Sequence, residues 1–261
     1  MDGRDAVGTY IRDQQYGNPG RLLTRNDIYR FAVDADDLHP WTFDHLDLPP
    51  RARLLEVGCG IAQIWTAGAG RIPDGWRIVL SDFSRGMLQG AVDRLGDRFQ
   101  YELADATALP HRAGTFDAVL ANHMLYYLSD PTLAIAECAR VLAPDGALYA
   151  TTNGAGHLRE MYDLAGEWPE RHSSRLSSRA FSMENGAAQL EACFGAVATH
   201  RAGGRLEITD PEPVVAYLAS LPSPPDLDVV RRAVTDAIER AGALTVGLDF
   251  GLFVATCPRR F

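Results

Sequence analysis

The stretch Leu54-Leu55-Glu56-Val57-Gly58-Cys59-Gly60-Ile61-Ala62 decides how this chain folds. An aliphatic run that ends in an acid reads as a buried strand. Two glycines one residue apart then let a ligand approach the backbone closely at the strand's carboxyl end, before a helix begins. A dinucleotide fingerprint would want a third glycine at position 63, where Gln63 stands, so nicotinamide cofactors are disfavoured. Three further strand ends follow. Val79 to Ser84 (VLSDFS) puts Asp82 24 residues after Gly58, where a carboxylate accepts both hydroxyl protons of a ribose diol. Leu103 to Pro110 (LADATALP) offers Asp105, able to accept from an adenine amino group. Phe116 to Leu128 (FDAVLANHMLYYL) is a buried strand that delivers Asn122, His123, Tyr126 and Tyr127 to the same edge.

Outward from these motifs, short aliphatic runs alternate with longer amphipathic stretches, the sign of a doubly wound parallel sheet. Strands are predicted over Arg53 to Val57, Arg77 to Ser81, Phe99 to Ala104, Phe116 to Ala121 and Ala147 to Thr151, with helices over Ile61 to Arg71, Arg85 to Leu95 and Pro131 to Leu142. Asp130-Pro131 is a helix start, and Pro144-Asp145-Gly146 a turn before the next strand. Residues 1–50 read as a helical N-terminal cover with Tyr10, Tyr16, Tyr29, Phe31 and Trp41, and residues 51–261 as the α/β domain. Helical insertions are expected at about 153–180 and 211–242, and the tail from Leu244 to Cys257 as a last strand beside Ala196 to His200.

Composition narrows the chemistry. All 25 basic residues of the 261 are arginine, so no lysine Schiff base and no Walker-type or kinase-type lysine exists. With 34 acids the net charge is −9, a poor partner for nucleic acid, and a small-molecule partner is expected instead. Four scattered cysteines without paired spacing, and no basic-then-apolar leader, point to a reduced cytoplasmic setting. No apolar run reaches the roughly 18 residues of a membrane span. No metal motif is present, and oligomeric state is not readable.

The four motifs, in this order, resemble the class I S-adenosylmethionine-dependent methyltransferases, in particular the small-molecule group that includes the ubiquinone and menaquinone enzymes. The resemblance spans about residues 51–152 and implies a Rossmann-like doubly wound, mostly parallel sheet with S-adenosylmethionine as cofactor. Carried over residue by residue, it implies that Glu56, Gly58, Cys59 and Gly60 lie against the methionine part and that Asp82, with Phe83 beside it, binds the ribose. It further implies that Asp105 and Ala106 contact the adenine and that Asn122 sits beside the reactive centre. The chain departs from the family at Ile61-Ala62, where a small or turn-forming residue and a third glycine are usual, and Ile61 and Gln63 make the loop bulkier.

Methyl transfer from an activated sulfonium asks mainly for proximity, a dry pocket and a deprotonated nucleophile. His123 is the first candidate for a base or orienting residue, or else a packed core histidine, and His157 is the second. Tyr16, Phe31, Trp41, Tyr126, Tyr127 and Asn153 are candidates for the substrate side, each with packing or solvation as the alternative. Two rival readings stand beside the expected methylation of oxygen, nitrogen or carbon on a small molecule of secondary metabolism. One is the same fold repurposed for cyclisation or elimination, motivated by Ile61-Ala62-Gln63; the other is a non-catalytic binding partner.

Overall fold

The computed structural model describes residues 19–165, 180–221 and 223–259. Eight strands form one sheet: β1 (Ala32–Val33), β2 (Arg51–Val57), β3 (Gly75–Asp82), β4 (Gln100–Leu103), β5 (Phe116–Asn122), β6 (Leu142–Asn153), β7 (Phe194–Ile208) and β8 (Leu244–Pro258). Their order is β1-β7-β8-β6-β5-β2-β3-β4, parallel from β4 through β6 and antiparallel where β8 joins β6, β7 joins β8 and β1 joins β7. From β2 the chain steps outward to β3 and β4, then returns to the other side of β2 as β5. The carboxyl ends of β2 and β5 therefore flank a topological switch point, where a crevice opens in folds of this kind.

The helices are α1 (Gly20–Asn26), α2 (Leu38–Asp44), α3 (Gln63–Ala67), α4 (Arg85–Leu95), α5 (Pro131–Val141), α6 (Arg159–Leu164), α7 (Gly186–Glu191), α8 (Glu212–Ala219) and α9 (Leu227–Ala241). β2 is buried on both faces, as a central parallel strand must be. Leu55 and Val57 join one core layer with α5, whereas Ala52 and Leu54 join the opposite layer with Trp65 of α3 and Leu88 of α4. A third cluster lies under α8 and α9, with Ile28 and Phe250 in it. Truncating a fully buried leucine such as Leu54 or Leu55 to alanine costs about 2–5 kcal/mol in sites of this type.

The predicted strands all form, and α4 and α5 begin where expected because each has a cap. Ser84 Oγ accepts from the Met87 amide at 3.3 Å, and Asp130 Oδ1 accepts from the Thr132 amide at 3.0 Å, just before Pro131. The first predicted helix is cut to Gln63–Ala67. Its start is lost to the glycine turn, and Gly68 ends it, lying so close to Phe43 that an added Cβ would stand 2.5 Å from the ring. The Pro144-Asp145-Gly146 turn is absorbed as a bulge within β6, since the register jumps from Phe116↔Leu142 to Ala118↔Ala147. β7 runs far beyond Ala196–His200, hidden from a sequence pattern by Gly203-Gly204. There the segment after β1 crosses so tightly that a Cβ on Gly204 would lie 2.4 Å from the Ala35 Cα.

Candidate active site

At the end of β2 the backbone turns through left-handed conformations at alternate residues: Gly58 (φ 65°), Gly60 (φ 55°) and Ala62 (φ 58°). Gly58 is obligatory on two counts, because a Cβ there would also meet Met124 Cβ at 2.8 Å. Ala62 adopts the conformation that glycine would hold without strain, so the turn keeps its shape despite the substitution, at a cost of about 1–2 kcal/mol. The turn is tied to β3: the Cys59 amide donates to Ser81 O at 2.9 Å, and the Gly60 amide donates to Asp82 Oδ2 at 2.9 Å.

Asp82 is only 5% exposed, yet it borders the cavity beyond the turn. Its second oxygen accepts from the Ser84 amide at 2.8 Å and the Phe83 amide also acts on the carboxylate, which still leaves lone-pair capacity for a ligand hydroxyl. Burial holds its carboxyl above the usual range against the pull of these amides. Asp105 takes both the Thr107 amide and the Thr107 hydroxyl, each at 2.8 Å, on the one oxygen Oδ1. Phe83, 37% exposed, and Ala106 complete this half of the wall.

Between the halves runs a buried chain of hydrogen bonds. Glu56, 2% exposed, accepts from Trp65 Nε1 at 2.6 Å and from Asn122 Nδ2 at 2.8 Å, while Asn122 Oδ1 accepts from Thr151 Oγ1 at 3.3 Å. Thr151 Oγ1 in turn accepts from the His123 amide at 3.1 Å. Burial outweighs the two donors and pushes the Glu56 carboxyl up to about 7. His123 has φ 49° and an enclosed Nε2 atom that has no hydrogen-bond partner among the described residues; burial drives its ring down to about 3, so it is neutral.

The cavity has a volume of about 810 Å³ and joins these groups to a second half made by the cover. Every residue expected at the cofactor borders it: Glu56, Gly58, Cys59, Gly60, Asp82, Phe83, Asp105, Ala106 and Asn122. So do His123, His157, Tyr126, Tyr127 and Asn153. Phe31 and Trp41 do not. In the 3-10 turn Asp27–Phe31 successive residues point about 120° apart, so Tyr29 faces the cavity while Phe31 turns away under the Arg30 guanidinium, 4.9 Å from its ring centroid. Trp41 stands behind the wall, packed 4.4 Å from the His45 ring and edge-on to the cavity residue Phe250 at 5.8 Å. Tyr16 lies outside the described residues.

Sequence reading missed Tyr29, Arg25, His39, Tyr217 and Phe250 on the wall. Tyr29 was visible as one aromatic of the cover, but its selection over Phe31 depends on the 3-10 phase; the others arrive through long-range packing. His157 is fully engaged, its Nδ1 within 3.2 Å of the Asp249 amide and its Nε2 within 3.1 Å of the Tyr29 hydroxyl. Burial lowers its ring to about 4.

A parallel sheet with a glycine turn at its switch point, and carboxylates at the ends of the next two strands, defines an α/β domain built for a nucleoside-bearing ligand. Residues 55–150 match the family described as a methyltransferase domain, in keeping with the resemblance to the class I S-adenosylmethionine-dependent methyltransferases. It is 33% identical over 159 residues to the methyltransferase GfsG of Streptomyces halstedii, covering 54% of this chain and 55% of that one. The chain spans about half the length of the curated relatives it matches. Among solved structures, a putative methyltransferase of Bacillus halodurans superposes with a TM-score of 0.61 at 15% identity, covering 85% of this chain and 99% of that one. The [4+2]-cyclase SpnF superposes with a TM-score of 0.56 at 21% identity, covering 93% and 94%. Both likenesses speak to the fold alone. Among the described residues no helix is long and apolar enough to cross a membrane.

Proposed function

We propose that this protein holds S-adenosylmethionine along the β2–β4 half of the cavity and methylates an oxygen, nitrogen or carbon of a small molecule placed in the other half. The observation that carries the reading is the continuity of one cavity from Gly58, Asp82 and Asp105 to Asn153 and His157. The donor set fits the cofactor. Positive-φ glycines leave the backbone open to the methionine part, Asp82 keeps lone pairs for the ribose diol, and Asp105 has one oxygen uncommitted by Thr107 for an amino group. Bound there, S-adenosylmethionine would supply an activated methyl group.

The protein's own residues bind and orient. Asn122 is locked between Glu56 and Thr151, which fixes the floor beside the reactive centre. A ring with a pKa of about 3 holds a proton poorly, so His123 orients a substrate group and the nucleophile loses its proton by its own acidity or to water. His157 acts through Tyr29 rather than as a base. Burial of the neutral imidazoles and the aromatic wall keeps water from competing for the methyl group.

Calorimetric titration with S-adenosylmethionine and S-adenosylhomocysteine, followed by product analysis, tests this. Micromolar binding of both, and products heavier by one methyl with stoichiometric S-adenosylhomocysteine, are expected. Substrate conversion without S-adenosylhomocysteine would assign the fold to cyclisation or elimination instead, and no binding of either would remove the cofactor assignment.

A further inference from the structure

We propose that Tyr29 selects the substrate by presenting a hydrogen-bond donor to an oxygen acceptor on it, of the carbonyl, enolate or phenolate kind, and that His157 fixes Tyr29 in that role. The word substrate rests on the methyl-transfer reading; the hydrogen-bond polarity does not.

The argument starts in the sheet. β6 pairs with β8 only as far as Asn153↔Phe250, so the next β8 amide, Asp249 N–H, lies past the last paired residue of β6. His157 supplies the missing acceptor through Nδ1 at 3.2 Å. A backbone amide can only donate, which makes Nδ1 the bare nitrogen and places the ring proton on Nε2. Nε2–H then donates to the Tyr29 oxygen at 3.1 Å. The Tyr29 hydroxyl proton must point elsewhere, and this oxygen has no second hydrogen-bond partner among the described residues. Tyr29 keeps 38% of its surface accessible and borders the cavity with His157 and Tyr217. Its phenol is held well above the usual range by burial, so it keeps its proton and donates it.

Next to Tyr29 itself the charge is that of Arg25, although Asp36 and Asp37 also border the cavity, beside His39. His39, His123 and His157, all on the wall, are neutral through burial, and Arg25 is near enough to Tyr29 and Tyr217 to act on both phenols. An ammonium would be asked to face a hydroxyl proton on a side that holds a guanidinium. An oxygen lone pair meets a donor fixed in advance, at little ordering cost.

Two measurements test this. In protein carrying nitrogen-15 histidine, long-range proton correlation should report His157 as the Nε2–H tautomer; the Nδ1–H tautomer would overturn the proposal. Calorimetry with 4-nitrophenolate as the acceptor probe, and 4-nitroaniline as its donor-bearing isostere, should then show preference for the phenolate. Tyr29→Phe should weaken the phenolate about tenfold while leaving 4-nitroaniline and S-adenosylhomocysteine binding unchanged, the last also certifying the fold. Equal loss of both probes, no loss, or no phenolate binding to the unmutated protein would overturn it. Failure of the unmutated protein to bind S-adenosylhomocysteine would strike the methyl-transfer reading and leave the tautomer and the probe preference as they are measured.

Discussion

Replacing Glu56 with glutamine should change how stability depends on pH, in a direction opposite to that of most carboxylates. In the folded protein Glu56 is 2% exposed, and desolvation holds its carboxyl at about 7 although Trp65 and Asn122 both donate to it. Below its unfolded value of 4.5 the group is protonated in both states. As pH rises from 4.5 toward 7 the unfolded chain ionises while the native state keeps its proton, so stability falls through this window and levels off above it. The span between the two values corresponds to about 3 kcal/mol. Glutamine occupies the same volume and cannot ionise. It leaves one of the two donors facing its amide nitrogen, a loss of about 1–3 kcal/mol that does not depend on pH. Urea unfolding of both proteins across the window gives the difference in stability, wild type minus Glu56→Gln, which should shrink by about 3 kcal/mol as pH rises. His123 and His157, lowered to about 3 and about 4, add stability as pH rises toward 6.5, but equally in both proteins, so they cancel in the difference. A difference that stays level or grows with pH would refute the reasoning, because it would mean that Glu56 is ionised in the native state and that its two donors outweigh burial.

Three further substitutions probe the turn and its carboxylate. Asp82→Ala removes the acceptor of the Gly60 and Ser84 amides and the proposed ribose contact, and should weaken S-adenosylmethionine by about 1.5–3 kcal/mol in calorimetry; unchanged affinity would discard the ribose assignment. Gly58→Ala forces a Cβ to 2.8 Å from Met124 Cβ at φ 65° and should cost about 2–4 kcal/mol in urea unfolding, with partial recovery when Met124→Ala is added; an undisturbed Gly58→Ala protein would contradict the packing described. Ala62→Gly gains about 1–2 kcal/mol of relieved left-handed strain but loses about 0.8 kcal/mol of buried methyl and about 0.4–1 kcal/mol to unfolded-chain entropy, so its stability should stay within about 1 kcal/mol of wild type. A loss beyond about 2 kcal/mol would show that Ala62 is not strained.

The sequence alone determined the part of this protein whose structure is local. Gly58 and Gly60 are read directly because a positive φ has few other occupants, and the acids at positions 56, 82 and 105 because parallel strands end at one edge of the sheet, whatever else the chain does. Asp130-Pro131 announced α5 through a cap between residues two apart, and Ser84 caps α4 in the same local way. The far half of the cavity was decided only in three dimensions. Tyr29 faces in and Phe31 out because of how the turn Asp27–Phe31 is docked, immediately before β1 pairs with β7, a strand that begins more than 150 residues later. His157 holds its tautomer because β6 ends one residue too soon to satisfy Asp249, a fact of strand register that no pattern of residue types encodes. Trp41, a candidate for the substrate side with packing as the alternative, packs behind Phe250 of the last strand. Cofactor-side chemistry rests on backbone conformation and strand ends, which neighbouring residues specify; substrate-side chemistry rests on which distant side chains the packing brings together.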